Sequence, residues 1–121
     1  MRVTRPQPSF EGETLDLDGV AVVVVRGEVD VLSAAQFDAL VDEAVRDHGV
    51  PRPLLVDLEE CTFMDSSGLA VLLRARDRLA DAALAIACPE GAPPARLLEL
   101  AARNLLARYE TRADALGALG R

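Results

Sequence analysis

Leu54-Leu55-Val56-Asp57-Leu58, followed beyond Glu59-Glu60 by Phe63-Met64-Asp65-Ser66-Ser67-Gly68-Leu69, decides how the rest of this chain is read. The apolar run predicts a buried strand, and the charged Glu59 and Glu60 predict its end. A small polar cluster then predicts a tight loop. Apolar residues recurring from Leu69 to Leu79 predict a helix whose first turn carries Asp65, Ser66 and Ser67. Short polar side chains belong at a helix start, where they satisfy amides that have no partner within the helix. Ser67 is the expected cap, and Gly68 is the expected place for another backbone to approach closely. Within the helix Leu69, Leu72, Leu73 and Leu79 face inward, and Arg74, Arg76, Asp77 and Arg78 outward.

Upstream, Met1 to Pro8 is polar with two prolines and reads as a flexible tail over residues 1–8, ahead of one domain over 9–121. Phe10 to Leu17 alternates weakly, with Leu15 and Leu17 on one face, and predicts an edge strand. Asp18-Gly19 is a hairpin turn signal. Val20-Ala21-Val22-Val23-Val24-Val25 is continuous and β-branched, hence a strand covered on both faces. Gly27-Glu28-Val29-Asp30 closes it, and Ser33-Ala34-Ala35-Gln36 reads as a capping box. A helix over roughly 33–47 follows, because Phe37, Leu40, Val41, Ala44 and Val45 recur on one face. Gly49 predicts its stop near His48, with Pro51 and Pro53 confirming the break.

Downstream, Leu84-Ala85-Ile86-Ala87 predicts a fourth strand, and Pro94 suits the first turn of a helix carrying Leu97, Leu98 and Leu100. Asn104 is the expected left-handed residue after that helix. Leu105 to Tyr109 predicts a short strand, and Thr111 starts a last helix with Leu116 and Leu119. Strands alternating with helices define an α/β sheet with helices on one or both faces.

Composition removes several function classes. The 121 residues fit one domain and are half hydrophobic, with no Trp and four aromatics, so the core is aliphatic. The net charge of −7 argues against nucleic acid, whose phosphates need a basic surface. No apolar run approaches the roughly eighteen residues of a membrane span, and no apolar segment follows Arg2 and Arg5. Direct membrane insertion is therefore not expected, and the cytoplasm is the expected compartment. Cys61 and Cys88 lack metal-ligand spacing and read as buried, inert thiols.

Catalytic chemistry is not expected either. A nucleophile elbow at Ser66 needs glycines two residues to each side; Gly68 fits, but Met64 occupies the other place. The only histidine, His48, lies at the predicted far end of another helix, so no general base is evident. No phosphate-binding glycine motif or metal-ligand cluster occurs.

The string Phe63-Met64-Asp65-Ser66-Ser67-Gly68-Leu69 closely resembles the phosphorylation motif of STAS domains, in particular the anti-sigma factor antagonists. The resemblance covers roughly residues 10–119. It implies a mixed β-sheet with helices packed mainly on one face, and it makes Ser66, the first hydroxyl after the aspartate, the phosphoacceptor. Gly27-Glu28-Val29-Asp30 resembles the family's Gly-Glu-Leu-Asp string, which makes Asp30 and Glu28 candidate contacts to a kinase, beside Asp65, Ser67 and Gly68. Ala80 to Ala83 and Arg103-Asn104-Leu105 depart from the family's glycine-bearing patterns at those places.

In this bacterial family the unphosphorylated antagonist binds an anti-sigma factor that is also a serine kinase, and so frees a sigma factor. The kinase phosphorylates the serine and breaks the complex, and a metal-dependent serine phosphatase restores it. The resemblance thus implies a non-enzymatic partner switch in transcription regulation, with no metal or cofactor on the chain itself. The other reading is a cytoplasmic STAS scaffold subunit of an ABC-type membrane transporter complex. The complete Asp65-Ser66-Ser67-Gly68 string favours the antagonist.

Overall fold

The computed structural model describes residues 9–46, 52–79 and 82–120. The expected tail over residues 1–8 and the helix stop at His48-Gly49 lie outside the described residues. Nine elements follow in order: β1 (Glu11–Leu17), β2 (Val20–Val29), α1 (Ala34–Arg46), β3 (Leu54–Met64), α2 (Ser66–Leu79), β4 (Leu84–Ala87), α3 (Pro93–Ala102), β5 (Ala107–Tyr109) and α4 (Arg112–Leu119). The strands form a single sheet in the order β1-β2-β3-β4-β5. β1 runs antiparallel to β2 and the other pairs are parallel, so the sheet is mixed. The hairpin turns at Asp18 (φ 53°) and Gly19 (φ 83°), the two positive φ values that a tight hairpin of matching twist requires.

β2 reads as a run without alternation because both sheet faces are covered. Ala21, Val23 and Val25 point into the larger core with Val56, Leu58, Ile86 and Cys88, under Phe37 and Val41 of α1, Leu72 and Leu79 of α2 and Leu98 of α3. Val20, Val22 and Val24 face the other side with Leu55, Ala85 and Ala87, beneath Ala115 of α4 and the partly buried Leu15, Leu17, Leu116 and Leu119. Three helices thus share one face and the short α4 takes the other. Thr111 caps α4 by accepting from Asp114 N at 3.1 Å. An ion pair ties this helix to the sheet: Arg112 Nε donates to Asp57 Oδ2 at 2.7 Å, with Asp57 buried at 4% exposure. Arg112 N also donates to Glu59 Oε2 at 2.7 Å.

Three local expectations are corrected. Glu59 and Glu60 do not end β3, which continues to Met64 with both glutamates exposed. β4 stops opposite Asp57 and β1 stops opposite Arg26, so beyond them β2 and β3 pair only with each other. A two-stranded ribbon has two solvated edges and tolerates charge. Second, Ser33 does not act as a capping-box residue. Its hydroxyl turns back on the loop, accepting from Asp30 N at 3.0 Å and donating to Glu28 O at 3.1 Å. Third, Asn104 is not left-handed, since Asp18 is the one non-glycine with positive φ among the described residues. The chain leaves α3 instead through Leu105 N and Leu106 N, which both donate to Ala102 O.

The inward faces of α1 and α2 follow the sequence period, with Val71 and Ala75 joining Leu69, Leu72 and Leu79 in the core and Leu73 half-buried. Arg78 is less outward than expected: it reaches across to α1, 2.8 Å from Asp38 and 3.0 Å from Asp42. Cys61 and Cys88 are buried free thiols. Burial pushes both up to about 11, so little thiolate is present at neutral pH.

Candidate functional site

The ribbon formed by the ends of β2 and β3 carries the site. Its pairing slips between Val24 and Arg26 and again between Gly27 and Glu28, the mark of a bulge. Gly27 has φ 83°, and a side chain there would run into the carbonyl oxygen of Ser9. The glycine that admits another backbone is therefore Gly27. At Gly68, by contrast, a Cβ would lie 2.8 Å from Met64 Cγ and 2.8 Å from Val29 Cγ1, so this glycine lets side chains pack under the start of α2.

Past the ribbon the chain makes two neighbouring turns, each organised by an aspartate. Asp30 Oδ1 accepts from Leu32 N at 2.9 Å and Ser33 N at 3.0 Å, and shares the Ser33 hydroxyl proton, at 3.1 Å, with Glu28 O. The Ser33 amide, first among these donors, holds the Asp30 carboxyl below its ordinary range. A depressed carboxyl steadies the fold above the unfolded aspartate value of about 3.9, and that help is lost as pH falls through the lowered value. Asp65 does the parallel work for α2. Its Oδ1 accepts from Ser67 N at 2.8 Å, and its carbonyl accepts from Gly68 N at 3.1 Å and Leu69 N at 3.2 Å. The two turns are stitched together by Asp65 N, which donates to Val29 O at 3.2 Å.

The helix cap is thus Asp65, and the expected cap Ser67 is half-buried one residue inside the helix. Asp65→Ala is expected to cost about 0.5–2 kcal/mol, the usual loss of a capping side chain, and Ser67→Ala less than about 0.5 kcal/mol. Paired denaturant melts check the ranking, and a larger loss at Ser67 would contradict it.

Ser66 stands at the first helical position with its side chain exposed. Around it the ribbon and the Asp30 turn present large apolar side chains to solvent: Val31 at 73%, Leu32 at 86% and Phe63 at 43% exposure. Phe63 sits opposite Glu28 in the strand register. Glu28, Asp30, Leu32 and Ser33 line a shallow groove with Ser9, Phe10 and Gln36. Ser66, Asp65, Asp30 and Glu28 therefore come together at one end of the sheet. The exposure of Val31, Leu32 and Phe63 was not read from the sequence; the apolar pair Val31-Leu32 inside an otherwise polar loop is the signal that could have found it. Among the described residues no cluster of three or more His, Cys, Asp or Glu is placed to hold a metal, and no helix is long and apolar enough to cross a membrane.

An exposed serine heading a helix beside a β-ribbon, on a five-stranded mixed sheet, defines a class of domain, and comparison places the chain in it. The family model for the STAS domain matches residues 13–115, and the chain belongs to that family. Over 64 residues it is 34% identical to the anti-sigma-F factor antagonist RsfB of Mycobacterium tuberculosis, an alignment covering 53% of this chain and 51% of that protein. The chain thus spans about half the length of the curated relatives it matches. Across its whole fold it is similar to an anti-sigma factor antagonist from Mycobacterium paratuberculosis, with 28% identity, a TM-score of 0.84 and coverage of 98% of this chain and 100% of that one. SpoIIAA in its unphosphorylated form shares the fold at 21% identity and a TM-score of 0.65, covering 93% of this chain and 98% of that one.

Proposed function

We propose that this STAS domain is an anti-sigma factor antagonist whose unphosphorylated form binds an anti-sigma factor with serine kinase activity and releases a sigma factor. The observation that carries the reading is the exposed Ser66 hydroxyl among the solvent-facing Val31, Leu32 and Phe63, with Asp30 and Glu28 beside them. An apolar surface of this kind is worth burying against a partner, and the carboxylates at its rim favour a basic counterpart. The relatives named antagonists support the same class. Ser66 is then the phosphoacceptor. The kinase transfers the γ-phosphoryl group of ATP to Ser66 Oγ, with ADP and the hydroxyl proton as the other products. A serine phosphatase hydrolyses the phosphoserine and restores binding. In this scheme the chain catalyses nothing and works in the cytoplasm, where sigma factors act.

Incubation of the chain with ATP and the serine-kinase anti-sigma factors of its source organism, followed by peptide mass spectrometry, is expected to place one phosphate on Ser66. Phosphate on Ser67 alone, or on neither serine, would overturn the assignment. Asp30→Asn is expected to slow that reaction about tenfold and to lower the melting temperature only slightly, since the loop donors favour the charge that the amide lacks. The amide retains Oδ1 as acceptor for Leu32 N and Ser33 N but removes the charge a basic kinase surface would meet. Unchanged kinetics would return Asp30 to a purely structural turn.

A further inference from the structure

The start of a helix ordinarily welcomes an anion, because its first amides are unpaired and the helix dipole is positive there. In α2 the amides of the three residues after Ser66 are already taken. Ser67 N is held by the Asp65 carboxylate, and Gly68 N and Leu69 N by the Asp65 carbonyl. Asp65 is itself fixed in place by its own amide, which donates to Val29 O.

Among the described residues, the cations of the ribbon and of α2 are already paired. Glu28 near the end of β2 and Asp30 just past it lie beside the same turn, and Asp30 is committed to its own loop amides. Arg26, on the ribbon, is paired with Glu13 at 2.9 Å and Glu60 at 3.5 Å. The arginines of α2 lie two turns or more along the helix and are paired as well: Arg74 and Arg78 with Asp38, and Arg76 with Asp77.

We propose that Asp65 is a positioning residue for the switch: by occupying the Ser67 amide it keeps a phosphate on Ser66 off the helix and turned toward solvent, beside a fixed like charge. This rests on Ser66 being the phosphoacceptor. The phosphate then stabilises nothing within its own domain and stands intact in the path of whatever docks there. Without the Asp65 carboxylate the phosphate itself becomes the helix cap, and the modification stabilises the domain.

The test needs neither kinase nor partner, so its failure is distinct from failure of the proposed function. The full chain is made with phosphoserine incorporated at position 66, in three forms: wild type at 65, Asp65→Asn and Asp65→Ala. Phosphorus NMR titration is expected to place the second phosphate ionisation about half a pH unit higher in the wild type than in Asp65→Asn, from like charges a few ångströms apart near water. Glu28 and Asp30 are common to both forms and cancel. Phosphoserine is expected to raise the melting temperature in Asp65→Ala but not in the wild type. Asp65→Asn keeps the cap acceptor, so the ionisation comparison stands even if Asp65→Ala folds poorly. A purely structural Asp65 would alter the unphosphorylated melt and leave the phosphate ionisation where it was. Equal ionisation midpoints in the wild type and Asp65→Asn would overturn the proposal, as would a wild type stabilised by its phosphate.

Discussion

Ser66→Asp is expected to fold as the wild type does and to bind the proposed anti-sigma partner at least about tenfold more weakly, a loss of about 1.4 kcal/mol or more. Folding is spared because the Ser66 side chain is exposed and the cap of α2 belongs to Asp65. Binding is not spared, because exposed apolar side chains and the carboxylates of Glu28 and Asp30 share this end of the sheet. Val31, Leu32 and Phe63 offer area that a partner must dry to bury, and a carboxylate among them would have to be desolvated with it. The new charge also falls next to Asp65 and close to the Asp30 turn, so a partner needs cations that the neutral serine never required. One negative charge is less than a phosphate carries, which makes tenfold a lower bound for the modified protein. Titration calorimetry with the cognate partner measures it, and wild-type affinity in Ser66→Asp would sink the switch. Ser66→Ala should bind and resist phosphorylation.

Leu72→Ala is expected to cost about 2–5 kcal/mol of stability, a substantial part of the 5–15 kcal/mol typical of a whole domain. Leu72 is fully buried in the middle of α2, facing the larger core. Alanine is the better helix former, so the loss is one of packing and of the cavity left behind. The spread of that range reflects how far neighbours can close the gap. Denaturant unfolding should rank Leu72→Ala well below Asp65→Ala, and the opposite order would mean that Leu72 does not face the core. This matters for function because α2 holds Ser66 at its first position, and a loosened helix would blur the surface offered to the partner.

Much of this site is legible in the sequence. A strand, a polar cluster and a helix around Asp65-Ser66-Ser67-Gly68 are local matters, decided by hydrophobic period and by the preference of short polar side chains for helix starts. The same holds for the Asp18-Gly19 turn, where two positive φ values need those residue types, and for the apolar faces of α1 and α2. The exchange of roles between Ser67 and Asp65 was not legible, because both are good caps and stand only two residues apart. Asp65 prevails here because its amide is anchored on Val29 O and its carboxylate reaches Ser67 N.

What the sequence determined by itself is the order and type of the elements and the presence of a serine at the head of α2. Both depend on neighbours within a few residues, where periodicity and capping chemistry act. What only the tertiary structure decided depends on where other strands stop. Glu59 and Glu60 sit within a strand because β1 and β4 end early and leave a two-stranded ribbon with solvated edges. Gly27, and not Gly68, meets a foreign backbone because Ser9 crosses at the bulge. Asp57 is buried because Arg112, 55 residues away, arrives on the other face to pair with it. Val31, Leu32 and Phe63 remain in solvent because nothing in the described fold reaches past the ribbon's end to cover them, and burial is a property of the neighbours a residue acquires rather than of the residue.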